Sequence, residues 1–118
     1  MLMQMHTRKC FAPQIPSRFD RGSGLWVPTI NMAPAREHGE LIELLPPEAS
    51  RMSIAPLMAA LRERMDNEFN DGDYMIAVGD PSIIAAACII AARKSGGIMR
   101  ILRWDRQTSS YMLVEARP

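Results

Sequence analysis

The sequence predicts an α/β fold: a small two-layer sandwich in the order β-α-β-α-β-β, with a mostly parallel sheet ending in a C-terminal antiparallel hairpin. Three observations predict it. Ile54, Leu57, Met58, Leu61, Met65 and Phe69 recur at spacings of 3, 1, 3, 4 and 4, which traces one helical stripe. Tyr74–Val78 is a short apolar strand that turns through Gly79-Asp80-Pro81 directly into a second helix. Ile98–Trp104 and Tyr111–Ala116 flank the polar loop 105–110, as a hairpin does. Alternation of strand and helix implies parallel pairing of the first three strands through right-handed crossovers.

Taken in order, residues 1–36 read as a flexible basic arm. Pro13, Pro16, Pro28, Pro34 and the run Arg21–Gly24 argue against a continuous helix or a central strand. Leu25–Val27 with Ile30 offers one short edge strand, or an anchor through Trp26. Met1, Met3, Met5 and Met32 leave several starts open, and a start at Met32 is expected to keep the domain intact. Residues 37–118 then form a single α/β domain, in keeping with a chain of 118 residues. Glu40–Leu45 is its first strand, stopped by Pro46-Pro47. Ser53 is placed to cap the first helix, with Pro56 in the first turn, where no donor is needed. Arg62, Glu63 and Arg64 lie mostly off the apolar stripe and are expected to face water.

The second helix is capped by Asp80, with Pro81 at its first position. Ile83, Ile84, Ile89 and Ile90 spread round the cylinder among alanines, which predicts burial on more than one face. Arg93 and Lys94 suit the carbonyl end of the dipole, and Gly96 supplies a left-handed cap.

Charge is arranged in blocks although the net is only +1. Residues 1–36 and 81–118 are basic, while residues 37–80 hold ten acids against Arg51, Arg62 and Arg64. Such blocks meet within the fold, between copies or with a partner. Cys10 and Cys88 stand far apart in unlike settings, so no disulfide framework is expected and a reducing cytoplasm is the default. The apolar run Ile83–Ala92 is about half of a bilayer span, which argues against a membrane partner.

Candidate chemistry is sparse. Gly79, Asp80 and Ser82 form a turn at the end of a parallel strand and the start of a helix, where α/β folds place ligands and anions. Capping is the simpler role for Asp80, and the turn lacks the glycine spacing and Lys-Ser/Thr of a phosphate loop. Asp71, Asp73 and Asp80 suggest a carboxylate cluster, but roughly 23 Å separates Asp73 from Asp80 at about 3.3 Å per strand residue. His6 and His38 have no acid and nucleophile in triad spacing. Cys88, between Ala87 and Ile89, lacks the electropositive setting of a nucleophile. No catalytic residue, cofactor or metal ligand is therefore assigned. Arg93, Lys94, Arg100, Arg103 and Arg106, with Trp104, mix cations and a stacking ring as nucleic-acid surfaces do. The competing expectation is that they shield an edge strand or pair with the acidic block.

Asp73–Pro81 (DYMIAVGDP), Lys94-Ser95-Gly96-Gly97, Arg103–Gln107 (RWDRQ) and Tyr111 together resemble a group of small uncharacterised bacteriophage proteins. The resemblance spans about residues 40–116. It departs at Ser95-Gly96, where an Asn-Gly turn is common, and at Arg103, where lysine is common. It implies a phage origin and location in the host cytoplasm, and it brings no activity. The reading that follows is a phage-type accessory protein, a non-enzymatic interaction module that pairs with a protein partner or itself. The alternative is a nucleic-acid binder using the basic C-terminal hairpin.

Overall fold

A computed structural model describes residues 7–51 and 53–118, without the side chains of residues 50 and 51. In chain order the strands are β1 (Lys9–Gln14), β2 (Ser17–Asp20), β3 (Leu25–Pro28), β4 (Glu40–Leu45), β5 (Tyr74–Ile76), β6 (Met99–Asp105) and β7 (Ser110–Ala116). The helices are α1 (Ile54–Glu68) and α2 (Pro81–Lys94), with 3-10 turns at Ala33–Glu37 and Pro47–Arg51. The main sheet runs β4-β1-β5-β6-β7, parallel except for the closing β6–β7 hairpin. The α/β class, the mostly parallel sheet and the antiparallel hairpin thus stand as the sequence predicts.

The N-terminal segment departs from expectation. Lys9–Gln14 is no arm: it is an interior strand, between β4 and β5. Cys10, Phe11 and Ala12 are wholly buried there. Pro13 is tolerated because the pairs with β5 end at Phe11–Met75, so no ladder bond on that side is lost at 13. A chain begun at Met32 would lack this strand. Nor do β4 and β5 touch as neighbours, since β1 separates them.

Alternation along the strands divides the core in two. Phe11, Met75 and Met99 face α1 and α2 with Leu57, Leu61, Met65, Ile83, Ala87 and Ile90. Phe11 meets Phe69 at 5.2 Å between ring centroids, tilted by 49°. On the other face Cys10, Ala12, Tyr74, Ile76, Leu102 and Tyr111 are covered by Met32 and Ala35. That second cover is thin, a single 3-10 turn with its lead-in, so the molecule is a two-layer sandwich with both helices on one side.

This arrangement corrects three details. Helix α2 buries Ile83, Ala87, Ile90 and Ala91 against the sheet, but Ile89 on its outer side is 72% exposed. Burial is one-sided because, among the described residues, no further layer lies over the helices. Ile54 is likewise 62% exposed at the start of α1. Ser53 occupies the N-cap position in extended backbone without a side-chain cap bond. Arg64 is half-buried rather than water-facing: its Nη1 donates to the carbonyls of Glu43 (2.8 Å) and Leu44 (3.1 Å), and its Nε pairs with Glu68. The caps of α2 match expectation. Asp80 accepts from the Ser82 N–H at 2.8 Å, and Gly96 (φ +65°) lets the Gly97 N–H return to the Ala92 carbonyl at 2.7 Å.

The β2–β3 hairpin stands as its own two-stranded sheet in the connection from β1 to β4. Its turn is closed by Asp20, whose carboxylate accepts from the Gly22 N–H (3.3 Å) and the Ser23 hydroxyl (2.7 Å). Phe19 and Trp26 meet across it in an edge-on pair at 5.6 Å.

Because β1 is an interior strand and Phe11 is wholly buried, Phe11→Ala should destabilise the whole domain by about 3–5 kcal/mol, the usual cost of emptying a core aromatic position. Urea unfolding with a matched change in two spectroscopic probes checks this.

Candidate functional site

The strand order makes a switch point at the carboxyl ends of β1 and β5. From β1 the chain leaves over the face of the 3-10 turn to reach β4, while α1 and α2 cross the opposite face to reach β5 and β6. The loops that leave β1 and β5 therefore part at this point, and open α/β sheets place ligands in such a crevice. The turn after β5 is pressed onto the end of β1. A Cβ at Gly79 (φ +111°) would lie 2.8 Å from the Gln14 carbonyl oxygen and 2.9 Å from its Cβ. The Asp80 N–H reaches Gln14 Oε1 at 3.4 Å.

Asp80 and Ser82 are thus brought together with Gln14 at the mouth of a small cavity, of about 200 Å³, between the starts of the two helices. Chemically this corner is already satisfied. Asp80 Oδ1 accepts from both the hydroxyl and the N–H of Ser82, and these bonds hold its carboxyl below the usual carboxylate range. A fixed negative charge therefore sits where an incoming anion would have to bind.

The aspartates of the sequence reading fall at opposite ends of β5. Asp73 is buried and accepts from the backbone N–H groups of Lys9 (3.0 Å) and Asn70 (2.9 Å), tying the start of β1 to the turn after α1. Among the described residues no three His, Cys, Asp or Glu side chains lie close enough to hold a metal ion. Cys10 is buried, and desolvation pushes its thiol up to about 11. Burial raises Cys88 as well. His38 Nε2 lies 3.1 Å from the Tyr111 carbonyl oxygen, and His6 falls outside the described residues.

The six basic and aromatic candidates separate into two groups. Arg93, Lys94 and Arg100 gather at the amino end of the sheet, where the acidic block receives them. Arg93 pairs with Asp66 at 3.0 Å, and Arg100 with Asp71 at 3.2 Å and Glu115 at 3.6 Å. Lys94 Nζ donates to the carbonyls of Met65 (2.9 Å) and Asp66 (2.7 Å) at the end of α1, where a cation is favoured. Arg103, Trp104 and Arg106 belong to the carboxyl end, and roughly 17 Å of strand separates Arg100 from Asp105 at about 3.3 Å per residue. Arg103 and Trp104 are neighbours in β6 and so point to opposite faces.

Trp104 packs edge-on against Tyr111 at 5.1 Å, and the two wall a larger cavity of about 360 Å³ on the face away from the helices. Ile30, Asn31, Ala77 and Val78 complete it. Sequence reasoning missed these four residues. Ile30 and Asn31 belong to the stretch read as an arm, and nothing in their local pattern announces that they return to the sheet.

Fold and site together define a small α/β protein with a mostly parallel sheet, an antiparallel hairpin at one edge, a small cavity at the switch point and a larger one beside Trp104. The chain belongs to the phage Pam3 gp32-like protein family, whose model matches residues 8–118. The match takes in β1 and the β2–β3 hairpin, which the resemblance of residues 40–116 leaves out. No curated protein and no solved structure matches the chain. No helix among the described residues is long and apolar enough to cross a membrane.

The close approach at the switch point is testable. Gly79→Ala forces a side chain into the left-handed region and against Gln14, so stability should fall by about 1–3 kcal/mol. Ala77→Gly serves as a comparison without that clash, and thermal unfolding of both variants reads the difference.

Proposed function

We propose that this chain is a non-enzymatic accessory protein that acts by association, its β7 edge pairing antiparallel with the β7 edge of a second copy. The observation that carries this reading is the character of the edge. β7 pairs with β6 on one side and ends the sheet on the other. Met112, Leu113 and Val114 are 52%, 42% and 39% exposed there. Natural edge strands are usually blunted by lysine, proline or a bulge. Ser110–Ala116 has no proline and no lysine, and Glu115 is its single charge.

The opposite edge is protected, which makes the contrast sharper. β4 carries Glu40 and Glu43, and Arg64 occupies backbone acceptors at Glu43 and Leu44. A docking strand finds no equal purchase there.

The β7 sequence is also self-complementary about Leu113. In a two-fold antiparallel pair centred on that residue, Leu113 meets its own copy and Met112 lies opposite Val114. Tyr111 then faces Glu115, and Ser109 faces Arg117. No like charges oppose each other, and each apolar cross-strand pair contributes about 0.2–1 kcal/mol. Asp73 and Asp80 are committed to structural hydrogen bonds and Cys10 is buried, which supports the same reading.

Sedimentation or light scattering over a concentration series tests the proposal. The chain should self-associate into dimers, and Leu113→Lys should weaken association at least tenfold by setting two lysines opposite each other. Its melting temperature at low concentration should be unchanged. A strict monomer at high concentration, or a Leu113→Lys chain that dimerises normally, would overturn it.

A further inference from the structure

The 360 Å³ cavity at the carboxyl end of the sheet shares only Tyr111 with the proposed edge pair and has features of its own. Its volume falls at the lower end of the range of small-ligand pockets. Its walls are apolar, with one amide at the rim. Trp104 keeps 40% of its surface exposed beside Tyr111, which leaves room for a flat ring to lie against the indole. Asn31 is exposed, and its Oδ1 is engaged by the Ala33 N–H at 3.0 Å. Its amide N–H groups remain to donate to a ligand.

Two hairpins rise at this end of the sheet. β2–β3 begins two residues beyond β1 and carries Arg18 and Arg21 next to the Phe19–Trp26 pair. The β6–β7 turn carries Arg106 two residues beyond Trp104. Neither Arg18, Arg21 nor Arg106 makes an ion pair among the described residues. The cations at the amino end, Arg93, Lys94 and Arg100, are by contrast engaged. Acids stand at this end too: Asp20 and Asp105 turn their carboxylates onto their own loops, and Asp80 caps α2. The net field is therefore only weakly positive, and ring contact must contribute most of the binding.

We infer that the cavity receives one unstacked base of a single-stranded nucleic acid, laid against Trp104 with its polar edge toward Asn31, while the phosphates pass Arg106 and the arginines of β2–β3. Stacking on exposed aromatic rings with a few cations alongside is how single strands are held without duplex recognition. A base that enters a concave pocket has left its pair. The site differs from a surface built on the whole basic C-terminal block, because half of that block is neutralised at the other end of the sheet.

The test is fluorescence anisotropy of short labelled oligo-dT and of the matching duplex, at two salt concentrations. Single strands should bind better than duplex. The salt slope should be no steeper than about −2, from three phosphate contacts at about 0.7 each. Trp104→Ala should weaken binding roughly tenfold, the scale of one lost base stack, and Trp104→Phe should largely restore it. Asn31→Ala should weaken binding, with its melting temperature read alongside because it also removes the acceptor of the Ala33 N–H, and Arg93→Ala should leave binding unchanged. Leu113→Lys should bind as the parent does, so a failure of edge pairing and a failure of this site are read separately. No binding at low salt, equal affinity for duplex, or a folded Trp104→Ala chain with parental affinity would each overturn the inference.

Discussion

The insertion of β1 between β4 and β5 is the constraint from which the rest of the architecture follows. It places Phe11 against Phe69 beneath the helices and Cys10 and Ala12 beneath the opposite cover. It also requires the chain to leave the middle of the sheet twice in different directions, which creates the switch point at Gln14 and Gly79. Asp73 fixes the amino end of the same strand by accepting the Lys9 N–H, while the Gly79 turn closes on its carboxyl end. With β1 in place, β4 and β7 become the two edges. Arg64 occupies two carbonyls of the first; on the second His38 Nε2 meets the Tyr111 carbonyl, and Met112, Leu113 and Val114 stay exposed.

The arrangement separates charge along the strands. The acidic stretch 66–73 meets Arg93, Lys94 and Arg100 at the amino end, so the blocks seen in the sequence largely cancel inside one molecule. Arg18, Arg21 and Arg106 stay outside that compensation at the carboxyl end. Exposed apolar side chains lie at Trp104 near the cavity and at Met112, Leu113 and Val114 along the edge, as well as at Ile54 and Ile89 on the helices. Ile89 faces outward on α2, while Ile83, Ala87, Ile90 and Ala91 pack inward.

Much of residues 40–116 was legible because its signals are local. The α1 stripe, the Asp80 cap with Pro81, the Gly96 stop and the turn between β6 and β7 each depend on a few adjacent residues. β1 was hidden because proline weighs against a central strand, and only the short span of β5 explains why Pro13 is harmless. Arg64 was misread because its role depends on carbonyls about twenty positions away in β4. Of the candidate site, the Gly79-Asp80-Ser82 turn was legible and its capping chemistry with it. The large cavity was not, since Ile30 and Asn31 reach Trp104 only through long-range folding. The division of the basic residues into an engaged and an open group depends in the same way on where the acidic block lands.

The central claim, that the open β7 edge pairs with itself about Leu113, is most directly tested by cross-linking. In a Cys88→Ala background, Leu113→Cys should form a disulfide-linked dimer rapidly under mild oxidation, and Ile89→Cys on the exposed side of α2 should not. Equal cross-linking at both positions, or a Leu113→Cys chain that remains monomeric, would contradict the account.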